Sequence, residues 1–156
     1  MNHVEIGWTP SFENRRNSKV QLTYWEKDER PEAGVSSGDG WLLTAHHKFD
    51  NGVLPFIRIG HSDGGAGVPA EEAVTLGLGY DRPRHDLFSV ALGWAEPSEE
   101  TFGPDLDDEF VLETSWKFQM SPNASILPNI QYIRNPASNP GEDSTWVASL
   151  RVRWDI

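Results

Sequence analysis

The closing stretch Trp146-Val-Ala-Ser-Leu-Arg-Val-Arg-Trp-Asp-Ile156 alternates without a break. Trp146, Ala148, Leu150, Val152, Trp154 and Ile156 fall on one face, and Val147, Ser149, Arg151, Arg153 and Asp155 on the other. A period of two puts these sets on opposite sides of a β-strand. An apolar row with an aromatic near each end, opposed by a charged row, suits a strand that stands between lipid and a watery lumen. Few other folds need both.

Composition permits that reading. No apolar run approaches the ~20 residues of a membrane helix, and a transmembrane barrel leaves none, because its two faces alternate. A mean hydropathy of -0.53 is therefore no argument against a membrane. Hydrophobic residues make up only 37% of the chain, yet seven Trp and seven Phe are present. That is unusual for a disordered chain and natural for aromatic girdles. Cysteine is absent, which excludes disulfides, thiol catalysis and thiolate metal sites. The 156 residues suffice for one domain. The opening Met1-Asn-His-Val-Glu-Ile-Gly-Trp8 alternates like a strand and does not read as a signal peptide.

Nine strands are expected, at about 3–9, 18–25, 40–49, 53–61, 73–80, 86–94, 109–119, 124–133 and 144–156. Helical periodicity is absent, and the fold class is an all-β, antiparallel up-and-down meander, part of a transmembrane barrel. The gaps alternate in length: 26–39, 62–72, 95–108 and 134–143 are long, while 50–52, 81–85 and 120–123 are short. In a meander this places tight turns at one end and large loops at the other, the asymmetry of outer-membrane barrels. The first gap, 10–17, is longer than the scheme asks. Charge sorts in the same way. The long gaps with Glu26 and Glu109 at their margins hold 17 acidic and 3 basic residues, a net of −14; the rest is +3, which recovers the stated −11. Acidic loops that keep a protein soluble explain this as readily as a rim bridged by divalent cations.

Strand parity sorts the side chains. One face carries an aromatic girdle for the lipid interface: Tyr24, Trp41, Phe49, Tyr80, Phe88, Trp94, Phe110, Trp116, Phe118, Tyr132, Trp146 and Trp154, with Ile156 closing the row. The other face supplies candidates for lining a lumen and touching a solute: Lys19, His46, Lys48, Arg58, Glu113, Lys117, Asn129, Gln131, Arg151 and Arg153, with Trp25 near the mouth. Gly77 and Gly79 leave room beside them. Pro55 and Pro128 weaken their strands, since proline cannot donate to the ladder.

Chemical motifs are sparse. Neighbours on a strand point oppositely, so His46 and His47 do not share a metal. Asp105-Leu-Asp-Asp-Glu109 lacks the glycine and the distal glutamate of a calcium loop, and Asp63-Gly-Gly-Ala-Gly67 lacks the Gly-Lys-Ser/Thr of a phosphate loop and reads as a flexible connection. Glu99 and Glu100 are loop neighbours with nothing to hold them at glycosidase separation. No serine has a nucleophile context and no basic stripe suggests nucleic acid. No catalytic residue, metal or cofactor is expected.

Several segments resemble the C-terminal part of the carbohydrate-selective porins of the OprB type. They are Leu22-Thr-Tyr-Trp25 with Asp28-Glu-Arg30; Leu54-Pro-Phe-Ile-Arg58 with Ser62-Asp-Gly64; Asp86-Leu-Phe-Ser-Val-Ala-Leu-Gly-Trp94; Ile126-Leu-Pro-Asn-Ile-Gln-Tyr-Ile-Arg-Asn-Pro136; and Leu150-Arg-Val-Arg-Trp154. The resemblance implies a barrel of about sixteen strands, usually a homotrimer in the Gram-negative outer membrane, that passes sugars by facilitated diffusion. It departs from this chain in strand number and in the terminal residue, Ile156 where the family usually has phenylalanine. The expectation is a single domain, 1–156, forming the C-terminal portion of such a barrel, with outer-membrane lipid and sugars as partners. Lumen charges by parity are six basic (Lys19, Lys48, Arg58, Lys117, Arg151, Arg153) and three acidic (Glu5, Glu113, Asp155), a net of +3. These either meet solute or pair across strands and hold the wall. A soluble carbohydrate-binding β-sandwich or barrel is the alternative, and it requires the apolar strand faces to be buried.

Overall fold

The computed structural model describes residues 1–82 and 86–155. Its strands are β1 (Asn2–Trp8), β2 (Ser18–Lys27), β3 (Gly38–His47), β4 (Val53–Ser62), β5 (Ala70–Asp81), β6 (Leu87–Pro97), β7 (Glu109–Ser121), β8 (Ala124–Arg134) and β9 (Ser144–Trp154). Each pairs antiparallel with its sequence neighbour, so one nine-stranded sheet runs β1 to β9 in order. A 3₁₀ turn, Pro31–Ala33, and a one-turn helix α1, Glu99–Phe102, interrupt two of the loops.

Period-two patterning explains the strands, and local chemistry explains the turns between them. At the β3–β4 turn the backbone of Gly52 is left-handed, with φ of 85°. A Cβ there would also lie 2.4 Å from the carbonyl oxygen of Asp81, so only glycine fits. The long first turn is closed by Asn17 and Ser18, whose N–H groups both donate to Asn14 O at 2.8 and 2.9 Å. Pro55 and Pro128 stay in their strands, paired with Leu78 and Leu150 on one side, but on the other side the ladder breaks beside them. The β3–β4 pairs end at His46↔Phe56, and the β7–β8 pairs skip from Ser115↔Asn129 to Phe118↔Ile126.

Most strands reach further toward the loop end than hydropathy alone suggests. β5 begins at Ala70 and β6 runs to Pro97, so Glu72 pairs with Glu96 beyond the apolar rows. The backbone ladder continues where the side chains have already turned polar, and the loops shrink to 28–37, 63–69, 98–108 and 135–143.

No second layer covers the sheet. Ala66 is the only buried hydrophobic side chain among the described residues. Along β2 the polar Lys19, Gln21 and Thr23 are half-buried while Val20, Leu22 and Tyr24 are exposed, the reverse of a soluble sheet. The sandwich alternative therefore lacks its burying partner. Both edges are open, and β1 and β9, as first and ninth strands of a meander, run in the same direction. Pairing them with each other would make a parallel joint.

Candidate functional site

Register carries each side chain onto one continuous face across all nine strands. The inner, less exposed face is built of rungs that follow the Cα pairs. Lys19↔His46, His46↔Phe56, Phe56↔Gly77, Gly77↔Ala91, Ala91↔Glu113, Glu113↔Gln131 and Gln131↔Val147 make one rung. Gln21, Thr44, Arg58, Thr75, Gly93 and Val111 make the next toward the loop end. Toward the turn end lie Ser89↔Ser115↔Asn129, then Leu87↔Lys117, Leu127↔Arg151 and Ser125↔Arg153. Trp25 sits opposite Gly40 near the loop end.

Short polar links tie this face together. Ser89 Oγ and Ser115 Oγ are 2.6 Å apart, and the Asn129 side-chain amide donates to Glu113. Lys19 Nζ lies 3.7 Å from Glu5 Oε1, and Arg153 Nε donates to Asp155 Oδ1 at 2.9 Å. Lys48 lies just past the end of β3, in the turn, where its ammonium pairs with Asp81. Arg58, Lys117 and Arg151 have no ion-pair partner among the described residues. The charges thus divide into a paired set and an unpaired set.

Two aromatic rings pack against glycines on this face. A Cβ on Gly77 would fall 2.2 Å from the Phe56 ring, and one on Gly40 would fall 2.8 Å from the Trp25 ring. The space that the sequence assigns to Gly77 is therefore filled by Phe56. Phe56, Lys27 and Asp81 are inner-face residues that sequence reasoning passed over. Parity from Arg58, Trp25 and Gly79 was the signal that would have placed them.

The outer face is apolar and forms two aromatic rows. Tyr24↔Trp41, Trp94↔Phe110 and Tyr132↔Trp146 pair directly near the loop end. Tyr80↔Phe88 and Phe88↔Trp116 pair near the turn end, with Phe118 and Trp154 one and two rungs further toward the turns. Trp116 stacks on Phe118, centroids 4.6 Å apart, and meets Phe88 edge-on at 6.2 Å. Phe49 lies in the β3–β4 turn, edge-on to His47 at 4.5 Å. Eight residue steps separate Trp146 from Trp154 on β9, about 27 Å of strand at ~3.4 Å per residue. A barrel tilt of about 40° shortens this to ~21 Å, close to the ~25 Å apolar band of outer-membrane barrels. Ile156 lies outside the described residues.

His46 and His47 face opposite ways; His47 Nδ1 sits 2.5 Å from Ser18 Oγ on the outer side. At the loop end several carboxylates act as caps. Asp108 accepts from Trp94 Nε1 at 2.9 Å, Glu109 from Ala137 N at 3.0 Å, and Glu71 from Glu99 N at 3.1 Å.

Comparison with known proteins fits this geometry. Residues 43–156 match the model of the carbohydrate-selective porin, OprB family. QuiX of Acinetobacter baylyi, a proposed porin, is 44% identical over 46 residues, 30% of this chain and 10% of that protein. The high-pH structure of OprB from Pseudomonas putida superposes with a TM-score of 0.72 at 16% identity over 97% of this chain. The chain spans 47% of that structure, about half its length. An open meander, an apolar outer belt and a family match over most of its length lead to one assignment: the chain is a member of the OprB family of carbohydrate-selective porins.

Proposed function

We propose that this chain forms the C-terminal portion of the wall of an outer-membrane channel that passes carbohydrates by diffusion. The observation that carries the proposal is the inversion of the sheet. Apolar side chains are exposed between two aromatic rows, and on β2, β7 and β8 the polar side chains of the other face are half-sheltered. Lipid outside and water inside satisfy both faces at once. A single aqueous solvent satisfies neither.

Closure follows from strand direction. Bacterial outer-membrane barrels have an even number of antiparallel strands. Nine strands with parallel edges therefore need an odd number of further strands to complete the wall. In lipid every unpaired edge group costs several kcal/mol, so the completed barrel is the functional unit. We place it in the Gram-negative outer membrane, as a homotrimer, with lipid against the outer rows.

Sugars are uncharged, densely hydroxylated and have apolar ring faces. A lumen that passes them offers hydrogen bonds and ring surface without tight binding. Arg58 and Arg151 bring planar guanidinium forks suited to neighbouring hydroxyls. Asn129, Gln131, Lys117 and Glu113 extend the polar track, and the Trp25 and Phe56 rings give flat apolar surface. In vesicles carrying the completed barrel, Arg58→Ala and Arg151→Ala are expected to change glucose flux two- to tenfold, or to shift ion selectivity, measured by swelling and by reversal potential. Unchanged permeability in both variants would refute the role given to these arginines. A chain that stays monodisperse in water without detergent would favour a soluble sugar-binding protein instead.

A further inference from the structure

The connection between β4 and β5 reads Asp63-Gly-Gly-Ala-Gly-Val-Pro69, which composition assigns to flexibility. Yet its Ala66 is only 3% exposed, on a sheet that buries almost nothing else. We infer that residues 63–69 form a fixed collar folded across the inner face at the loop end, and that this collar sets the size of solute the channel admits. The inference rests on the channel reading above.

Gly38 locates the collar. It pairs with Lys27, two residues beyond the Trp25↔Gly40 pair, so its missing side chain would point inward. A Cβ there would lie 2.7 Å from Gly65 C and 2.9 Å from Ala66 N. The connection therefore crosses on the lumen side of β3. Lys27, also inward, donates from Nζ to Ala66 O at 3.0 Å. The opposite flank is tied to the segment after β6. Ser98, wholly buried, donates from Oγ to Gly64 O at 2.7 Å, and Thr101 Oγ1 donates to Val68 O at 2.6 Å.

The glycines serve this packing. A Cβ on Gly65 would lie 2.1 Å from Ser37 O, and Gly64 and Gly67 are left-handed, with φ of 84° and 69°. The segment is thus held at the loop end, by the termini of β2 and β3 on one flank and by the residues just past β6 on the other. The Asp63 carboxylate is turned to the backbone N–H groups of Asp39 and Gly65, both at 3.2 Å. The collar presents backbone and small side chains, which suits discrimination of neutral sugars by size.

Gly38→Leu is the direct test, because its side chain takes the collar's place. Ser98→Ala with Thr101→Val loosens the opposite flank and guards against a local defect at β3. Two measurements are needed. The first is the labelling rate of Ala66→Cys by a membrane-impermeant maleimide, in the completed barrel assembled in lipid. The second is vesicle swelling in glucose against raffinose. Slow labelling in the parent, about tenfold faster labelling in either variant, and a raffinose-to-glucose ratio raised at least threefold are the expected results. Rapid labelling in the parent would overturn the collar. Protected labelling with an unchanged sugar ratio in both variants would overturn its part in selection. Absence of any glucose flux in the parent would instead overturn the channel reading, whatever the labelling shows.

Discussion

Leu92 and Ala91 are neighbours on β6 and face opposite sides of the sheet. Leu92 points outward and is 61% exposed in a row with Leu76 and Leu112, while Ala91 points inward between Gly77 and Glu113. In a water-soluble sheet the larger, more apolar side chain would be the covered one. The outer row is also far more extensive than the apolar patches soluble proteins leave bare. The contrast teaches that neither face of this sheet is its core. The ladder and the loop cap hold the fold, and in the proposed channel the outer row takes its packing from lipid.

A charge placed on each face is the strongest way to break that contrast. Leu92→Arg is expected to cost about 2–4 kcal/mol, because it lies between the aromatic rows where a guanidinium meets hydrocarbon. Ala91→Arg should cost less than about 1 kcal/mol, with water on its side and Glu113 on the adjacent strand. Guanidinium unfolding of the barrel in phospholipid vesicles gives both values. Equal costs would mean that the two faces share one environment.

The same contrast was largely legible in the sequence, for a definable reason. A period of two needs no partner to be read, so the closing strand showed its two rows before any fold was known. Alternating gap lengths then ordered the strands into a meander. What stayed hidden lies where side chains stop alternating or reach across strands. Rungs such as Glu72↔Glu96 continue the ladder among acidic residues, which hydropathy assigns to loop. The Phe56 ring covering Gly77 and the backbone of Gly65 against Ser37 are contacts between segments distant in sequence. Glycine signals freedom in a sequence, whereas here it records close approach.

That distinction can be sharpened at Gly77. Gly77→Ala puts a methyl 2.2 Å from the Phe56 ring and is expected to destabilise by about 1–3 kcal/mol through overpacking. The double variant with Phe56→Ala should recover most of the loss, since the three atoms nearest to the added methyl all belong to that ring. Gly79→Ala serves as the comparison: its nearest neighbour is Leu87 Cδ1 at 3.3 Å, the end of a side chain that can turn. Denaturation midpoints of Gly77→Ala, Phe56→Ala, their double variant and Gly79→Ala decide the matter. Failure of Phe56→Ala to rescue Gly77→Ala would show that the glycine answers to the backbone, not to the ring.

The smallest expected effect separates the two kinds of inner charge. Lys19 is paired with Glu5 at 3.7 Å, both partly exposed, so Lys19→Ala should lower stability by roughly 0.2–1 kcal/mol. Lys117 has no such partner among the described residues, and Lys117→Ala should leave stability within about 0.5 kcal/mol. Conductance should rank them the other way. An unpaired ammonium contributes its whole field to the lumen, whereas one beside a carboxylate is largely cancelled at distances beyond the pair. Lys117→Ala is therefore expected to reduce anion preference more than Lys19→Ala in reversal-potential measurements at low salt, with the difference fading near 1 M salt as the Debye length falls to ~3 Å. If Lys19→Ala shifted selectivity as strongly as Lys117→Ala, the pairing with Glu5 would not persist in the assembled wall, and the division into structural and solute-facing charges would fail with it.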